Sequence, residues 1–248
     1  MPGSRSLVVL ILAASLWSAG YALEFLSPNL QMKLFWARFQ YFGITVIPVA
    51  WLTFAHRYME SHEWPRSMTA RLWLGLIPLL TVILVWTNDS HHLVWQATHL
   101  QTNGPLRILE LHHGPWFWVY WLYGSVLLAW GTYRLAKTLL GSVRLYRWQI
   151  GLALLACAIP WIGNVFYVLH VSPVEYLDWT PFGFVIAGLL LAVSLFRYQL
   201  ANIPPIAHQQ VFTGQADRLL VLDIRNFIVD LNPAAQKVVG SSGGEPIG

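Results

Sequence analysis

The 248-residue chain is 56% hydrophobic and only 10% charged, holds 14 tryptophans and has a formal net charge of +4. Soluble domains carry roughly 25% charged residues, so this composition excludes an ordinary soluble domain. The lone cysteine, Cys157, excludes an internal disulfide.

Six apolar stretches occur in chain order, over residues 7–26, 34–55, 72–87, 116–133, 150–169 and 179–196. A helix rises about 1.5 Å per residue, so about 20 residues cross the hydrocarbon of a bilayer. In lipid each backbone amide must bond within its own segment, which makes these segments helices. The third is short and is expected to use Trp73 and Trp86 as interfacial ends. The first has the composition of a signal peptide, with Arg5 ahead of it. It approaches full spanning length, however, and lacks a small-x-small cleavage site before Ser27, so it reads as a retained span.

The basic residues alternate between loops. Arg5 precedes the first span; Arg57, Arg66 and Arg71 fill the second loop; Arg134, Lys137, Arg144 and Arg147 fill the fourth; Arg197 opens the tail. The other loops hold Lys33, Arg107 and, over 170–178, none. Six spans with both termini cytoplasmic follow from the positive-inside bias, which also accounts for the net charge without nucleic acid. The third loop is the one sizeable exterior element. Residues 94–100 and 106–112 flank Thr102-Asn103-Gly104-Pro105, and Asn-Gly between two apolar-bearing runs predicts a β-hairpin.

Beyond Phe196 the character changes. A Pro-containing connector leads to a β-rich run from Asp217 to Asp223, a turn at Arg225-Asn226, a second strand, and a helix capped by Asn232 with Pro233 at its first position. This tail resembles the start of a PAS sensor domain, whose opening reads as strand, turn, strand, Asn-Pro-Ala-Ala. The expected domains are residues 1–200, a membrane sensor; 201–214, a connector; and 215–248, an incomplete PAS-like piece.

The membrane part carries Trp17 with Tyr21-Ala22-Leu23-Glu24, then Trp36-Ala37-Arg38-Phe39-Gln40-Tyr41-Phe42-Gly43 with Pro48. It continues with Ile77-Pro78, Thr87-Asn88 with His91, Trp161-Ile162-Gly163-Asn164 and Asp178-Trp179-Thr180-Pro181. These motifs, in this order, resemble the N-terminal seven-helix sensor region of bacterial and archaeal histidine kinases. That family has an external N-terminus and one more helix, so the resemblance implies that the first helix is missing and that the chain is a fragment. It also implies a two-component pathway. The output kinase, its ATP and its response regulator would then lie outside this chain, and a diguanylate cyclase is an alternative output.

Polar groups inside spans are the sharp functional signal, because a charge at a helix centre costs about 2.5–3.5 kcal/mol on insertion scales. Glu24, Arg38, Gln40, Asn88, His91, Asn164, Tyr167 and Asp178 fall at one level in the outer third. Helical spacing groups Arg38, Tyr41, Thr45 and Pro48 on one face, Trp17, Tyr21 and Glu24 on another, and Pro160, Trp161, Asn164 and Tyr167 within one arc. Three readings remain open: a ligand pocket, a structural layer with a Glu24–Arg38 ion pair and an Asn164 tie, or a path for protons or ions. Glu24, Arg38, Asn164 and Asp178 are the groups expected to change partners between signalling states.

A hairpin turning at Asn103-Gly104 would bring His91 and His92 towards His112 and His113, a candidate metal site. No catalytic motif is found and no cofactor is evident. The fold class expected is an all-α polytopic membrane bundle with an exterior β-hairpin, followed by the truncated start of an α+β PAS-like domain. The function expected is a sensory input module in the cell membrane, a homodimer receiving a small-molecule or lipid signal. A small transporter or channel, or a plain membrane anchor, are the rivals.

Overall fold

The computed structural model of the chain describes residues 4–58, 68–101, 107–141, 144–171, 176–198, 217, 219–222, 228–232 and 234–235. It is mostly helical, with small two-stranded sheets, and divides into two compact units, Met1–Asn202 and Ile203–Gly248. The connector, the hairpin tip at Thr102-Asn103-Gly104-Pro105, the turn at Arg225-Asn226 and Pro233 lie outside the described residues.

In the first unit α1 (Ser4–Leu26) packs along α2 (Leu30–Ile44), and α3 (Ile47–Tyr58) continues α2 after a break. Then come α4 (Met68–Trp86), the single turn α5 (Asn88–His91), strands β1 (Trp95–Gln101) and β2 (Ile108–His113), α6 (Pro115–Gly141), α7 (Arg144–Val168) and α8 (Thr180–Tyr198). Among the described residues two helical segments, Arg5–Leu26 and Arg147–Val168, are by themselves long and apolar enough to cross a membrane; Leu72–Trp86 and Thr180–Ser194 are apolar but shorter. The outward faces are those of a body that sits in lipid. On α6, Val119, Leu122, Val126, Trp130 and Tyr133 are exposed at helical spacing, and α4 exposes Leu72, Leu76, Leu79 and Ile83. So much contiguous apolar surface is foreign to a soluble monomer.

The stretch over 34–55, expected as one span, is two helices. Pro48 has no N–H to give the carbonyl four residues back, that of Ile44. Thr45 turns its hydroxyl onto the Tyr41 carbonyl at 2.7 Å, and Tyr120 on α6 donates its hydroxyl to the Ile44 oxygen at 3.0 Å. The same device recurs in α4, which carries Pro78: the Tyr123 hydroxyl donates to the oxygen of Leu74, again four residues back, at 3.2 Å. Two tyrosines one turn apart on α6 thus supply the donors that two prolines cannot.

Close helix approach is set by small residues. A Cβ on Gly43 would collide with the Ala13 carbonyl of α1. One on Gly131 would lie 2.9 Å from Trp51 Cδ1 of α3, whose indole N–H donates to Thr132 at 3.2 Å.

β1 and β2 pair antiparallel, with His99 opposite Glu110, Leu100 opposite Leu109, and a bulge between Trp95 and Ala97. The expected hairpin is therefore present, each strand beginning one or two residues later than the sequence suggested. Its root is fixed by Asn88, whose Oδ1 accepts from the Val94 and Trp95 amides at 3.0 and 3.1 Å while Nδ2 donates to the Trp95 carbonyl at 2.9 Å. Val94, Trp95 and Leu109 are buried there with Ala37, Tyr41 and Val85.

In the second unit β3 (Leu220–Leu222) pairs antiparallel with β4 (Ile228–Leu231). Asn232 Oδ1 accepts from the amides of Leu219 and Ala235 at 3.0 and 2.9 Å, closing the strand pair and capping the turn that follows.

Asn88→Ala is expected to lower stability by roughly 2–4 kcal/mol, since it strands two buried amides and a carbonyl together. A thermal melt of the solubilised chain measures this. A melt within a degree of the unaltered chain would mean that Asn88 does not hold the hairpin root.

Candidate functional site

Inside the first unit lies a cavity of about 430 Å³. Its walls come from α1 (Trp17, Tyr21, Glu24), α2 (Gln40, Tyr41), α6 (Tyr120, Trp121), α7 (Trp161, Asn164, Tyr167), the start of α8 (Thr180, Phe184), and from Trp95, His113 and Asp178. The helical spacing explains the grouping. Trp17, Tyr21 and Glu24 stand one turn apart on α1, and Trp161, Asn164 and Tyr167 stand three apart on α7.

The polar groups are individually held. Gln40 Nε2 donates to Glu24 Oε2 at 2.6 Å, and Glu24 is 9% exposed. Asp178 Oδ1 accepts from the Thr180 amide at 2.9 Å and from its hydroxyl at 2.5 Å, just ahead of the first turn of α8. The Asp178 amide in turn donates to the Tyr21 hydroxyl at 3.0 Å. Trp121 Nε1 donates to Asn164 Oδ1 at 3.1 Å. Around them Trp17 meets Phe184 edge-on with ring centroids 5.3 Å apart, and Tyr41 meets Trp95 at 5.8 Å.

Burial pushes the Asp178 carboxyl up to about 6, against the opposing pull of the two bonds from Thr180. His113 lies flat on Phe117, with ring centroids 3.6 Å apart and 3° between the planes. Burial, and then the neighbouring imidazoles of His170 and His112, hold His113 down at about 4. Its imidazole is therefore neutral at neutral pH. Among the described residues neither of its ring nitrogens has a partner, nor have the buried indole N–H groups of Trp17 and Trp161.

Of the residues singled out from sequence, Glu24, Gln40, Tyr41, Asn164, Tyr167 and Asp178 converge on this cavity. Arg38, Asn88 and His91 do not line it. The Glu24–Arg38 pair is replaced: Arg38 Nη2 meets Asp89 Oδ1 at 2.5 Å, and that carboxylate is 77% exposed. Such a pair contributes at most about 1 kcal/mol. Asn88 is spent on the hairpin root. His91 bonds Thr87 through Nε2 at 3.1 Å and accepts the Leu93 amide through Nδ1 at 3.0 Å.

The four histidines are accordingly not gathered. His113 stacks within the bundle while His112, opposite Ala97, reaches Glu110 at 3.2 Å. Among the described residues no group of three or more His, Cys, Asp or Glu side chains is placed to hold a metal ion. Sequence reasoning missed Tyr120 and Trp121. The signal for Tyr120 was Pro48, which demands a donor for the Ile44 carbonyl.

The family described as the N-terminal 7TM region of histidine kinase matches residues 1–205. No curated protein and no solved structure matches the chain.

Asp178 carries a folded-state pKa above its ordinary value, so the folded state binds the extra proton. Stability falls as pH rises from about 4 to about 6 and is level above that. Asp178→Asn keeps an acceptor for Thr180 and removes the buried charge. Its melting temperature should exceed that of the unaltered chain by several degrees at about pH 7.5 and by little near pH 4. An advantage that is independent of pH would contradict the burial argument.

Proposed function

The chain belongs to the family of N-terminal seven-transmembrane regions of histidine kinases, and from that premise we propose that its cavity is the signal-binding site of the receptor. As a member of that family it is a membrane-located sensor input module, and in our reading catalysis belongs to another domain. In the arrangement we propose, the bundle traverses the membrane six times with both termini cytoplasmic, and the cavity opens towards the outside or the outer leaflet. Residues 201–214 pass the signal to a PAS-like piece over 215–248, and so to a kinase acting as a homodimer on a response regulator.

The observation that carries this reading is the convergence of six polar residues, from four separate places in the chain, on one internal volume. A cavity of about 430 Å³ is of the size that takes a small organic molecule. The position of α8 supports transmission. Its first turn, from Thr180, contributes to the cavity wall, and its last residue, Tyr198, leads directly into the connector. A signal shifts the receptor only by binding one arrangement of its helices better than the other. A ligand held against Asp178 and Thr180 acts on the end of that helix.

The test is a fusion of the full chain to a kinase of known output with a transcriptional reporter. Trp17→Ala and Asn164→Ala, both in the cavity wall, are expected to move basal output severalfold in either direction at equal membrane abundance. Leu79→Ala on the exposed face of α4 should not. Equal output from all three would leave a plain membrane anchor.

A further inference from the structure

Among the described residues, two carboxyl groups, Glu24 and Asp178, line the cavity, and no lysine or arginine does. Lys33, outside the cavity wall, gives its Nζ to the backbone oxygens of Glu24 and Phe25 at 2.8 and 3.2 Å, and its charge partly offsets that of the Glu24 carboxyl, while no basic group acts in this way on Asp178. The other ionisable neighbours bring no positive charge. On α1, α2, α6 and α7 they are Tyr21, Tyr41, Tyr120, Cys157 and Tyr167; Tyr176 precedes α8 and His113 ends β2. Tyrosine titrates near pH 10, and His113 is neutral. Two like-charged carboxyls in one cavity are neutralised by protons or by a cation that enters.

The walls favour the second. Trp17, Tyr41, Trp95, Trp121, Trp161 and Phe184 present aromatic surface around the pair of acids. Aromatic faces attract a desolvated organic cation, and quaternary and protonated amines are held in aromatic cages of this kind. A separate observation also points to a ligand. Trp17 is 8% exposed and lines the cavity, and its indole N–H has no partner.

We propose that the cavity binds an amphipathic organic cation, an amine with an apolar or aromatic body, its charge facing Glu24 and Asp178 and its body held among the indole and phenyl rings. The proposal rests on the reading of this cavity as the signal site and names the chemical class of the signal. An amine bearing a hydroxyl or ether acceptor would also satisfy the Trp17 N–H.

Three probes of one size and different charge decide it: phenethylamine, phenethyl alcohol and phenylacetate. Their binding to the full chain in lipid nanodiscs is measured by calorimetry, with empty discs subtracted. Phenethylamine is expected to bind about tenfold or more tighter than either isostere at about pH 7.5, the effect of even a well-screened buried charge pair. It should lose about tenfold on acidification to about pH 5, as the carboxyls take up protons. Glu24→Gln should abolish the preference for charge while leaving the thermal melt cooperative.

Equal or tighter binding of phenethyl alcohol or phenylacetate would overturn the proposal, as would pH-independent binding or failure of phenethylamine to bind. The unaltered chain alone supplies these outcomes, so they do not depend on a variant folding. The reporter fusion separates the two claims. Phenethylamine that binds, with cavity variants silent in the fusion, refutes the sensor reading and keeps the cation. A preference for the neutral probe, with cavity variants active, does the reverse.

Discussion

A carbonyl oxygen without a donor is tolerable in water and expensive in lipid, and this bundle contains prolines that create such oxygens. Pro48 frees the oxygen of Ile44 and Pro78 that of Leu74. Both are recovered by one helix, α6, through Tyr120 and Tyr123. The consequence extends beyond backbone satisfaction. A tyrosine reaches a main-chain oxygen on a neighbour only if the helices lie close, and a Cβ on Gly124 would stand 3.3 Å from the Pro48 ring. The break between α2 and α3 is thus locked to α6. Pro48, Tyr120 and Gly124 are all part of the cavity wall, so the repair of the backbone and the shape of the site are one arrangement.

Within that frame the site gathers charge in an apolar place. Glu24 is held by Gln40, and Asp178 is held by Thr180 and tied to Tyr21. Each carboxyl oxygen that is bonded accepts from a neutral donor, so the bonds position the acids without cancelling their charge. This differs from the Arg38–Asp89 pair, where both charges are matched and the acid stands in solvent. A buried acid is costly to hold charged, Lys33 offsets only part of that cost at Glu24, and the proposed cationic ligand would relieve the rest. Binding energy is then available to favour one helix arrangement over another.

Much of this was legible in the sequence, and the limits are physical. The polar residues of α1 and α7 declared themselves because helical periodicity needs only local information: Trp17, Tyr21 and Glu24 had to share a face, as had Trp161, Asn164 and Tyr167. Arg38 was misassigned because its partner, Asp89, comes from the α5 turn, whose position relative to α2 no periodicity encodes. Asn88 looked like a ligand group and is a structural one, because its amide makes three bonds to a chain reversal six and seven residues later. The histidines failed as a metal set for a related reason. A hairpin register places His113 opposite Trp95, but only the packing on α6 lays its ring on Phe117. The hairpin itself was readable from Asn-Gly and its flanking runs. The strand pair and Asn232 cap of the tail were likewise readable from local turn chemistry.

The proline–tyrosine lock is tested most directly by a double-mutant cycle of Pro48→Ala and Tyr120→Phe, read as thermal stability of the chain in lipid nanodiscs. Alone, Tyr120→Phe should cost about 1 kcal/mol or more, because it leaves the Ile44 oxygen unbonded. In the Pro48→Ala background the new alanine N–H takes that oxygen, and the same tyrosine substitution should cost little, a coupling of about 1 kcal/mol. An equal cost of Tyr120→Phe in both backgrounds would contradict the account, for the hydroxyl would then be doing something other than replacing the donor that Pro48 lacks.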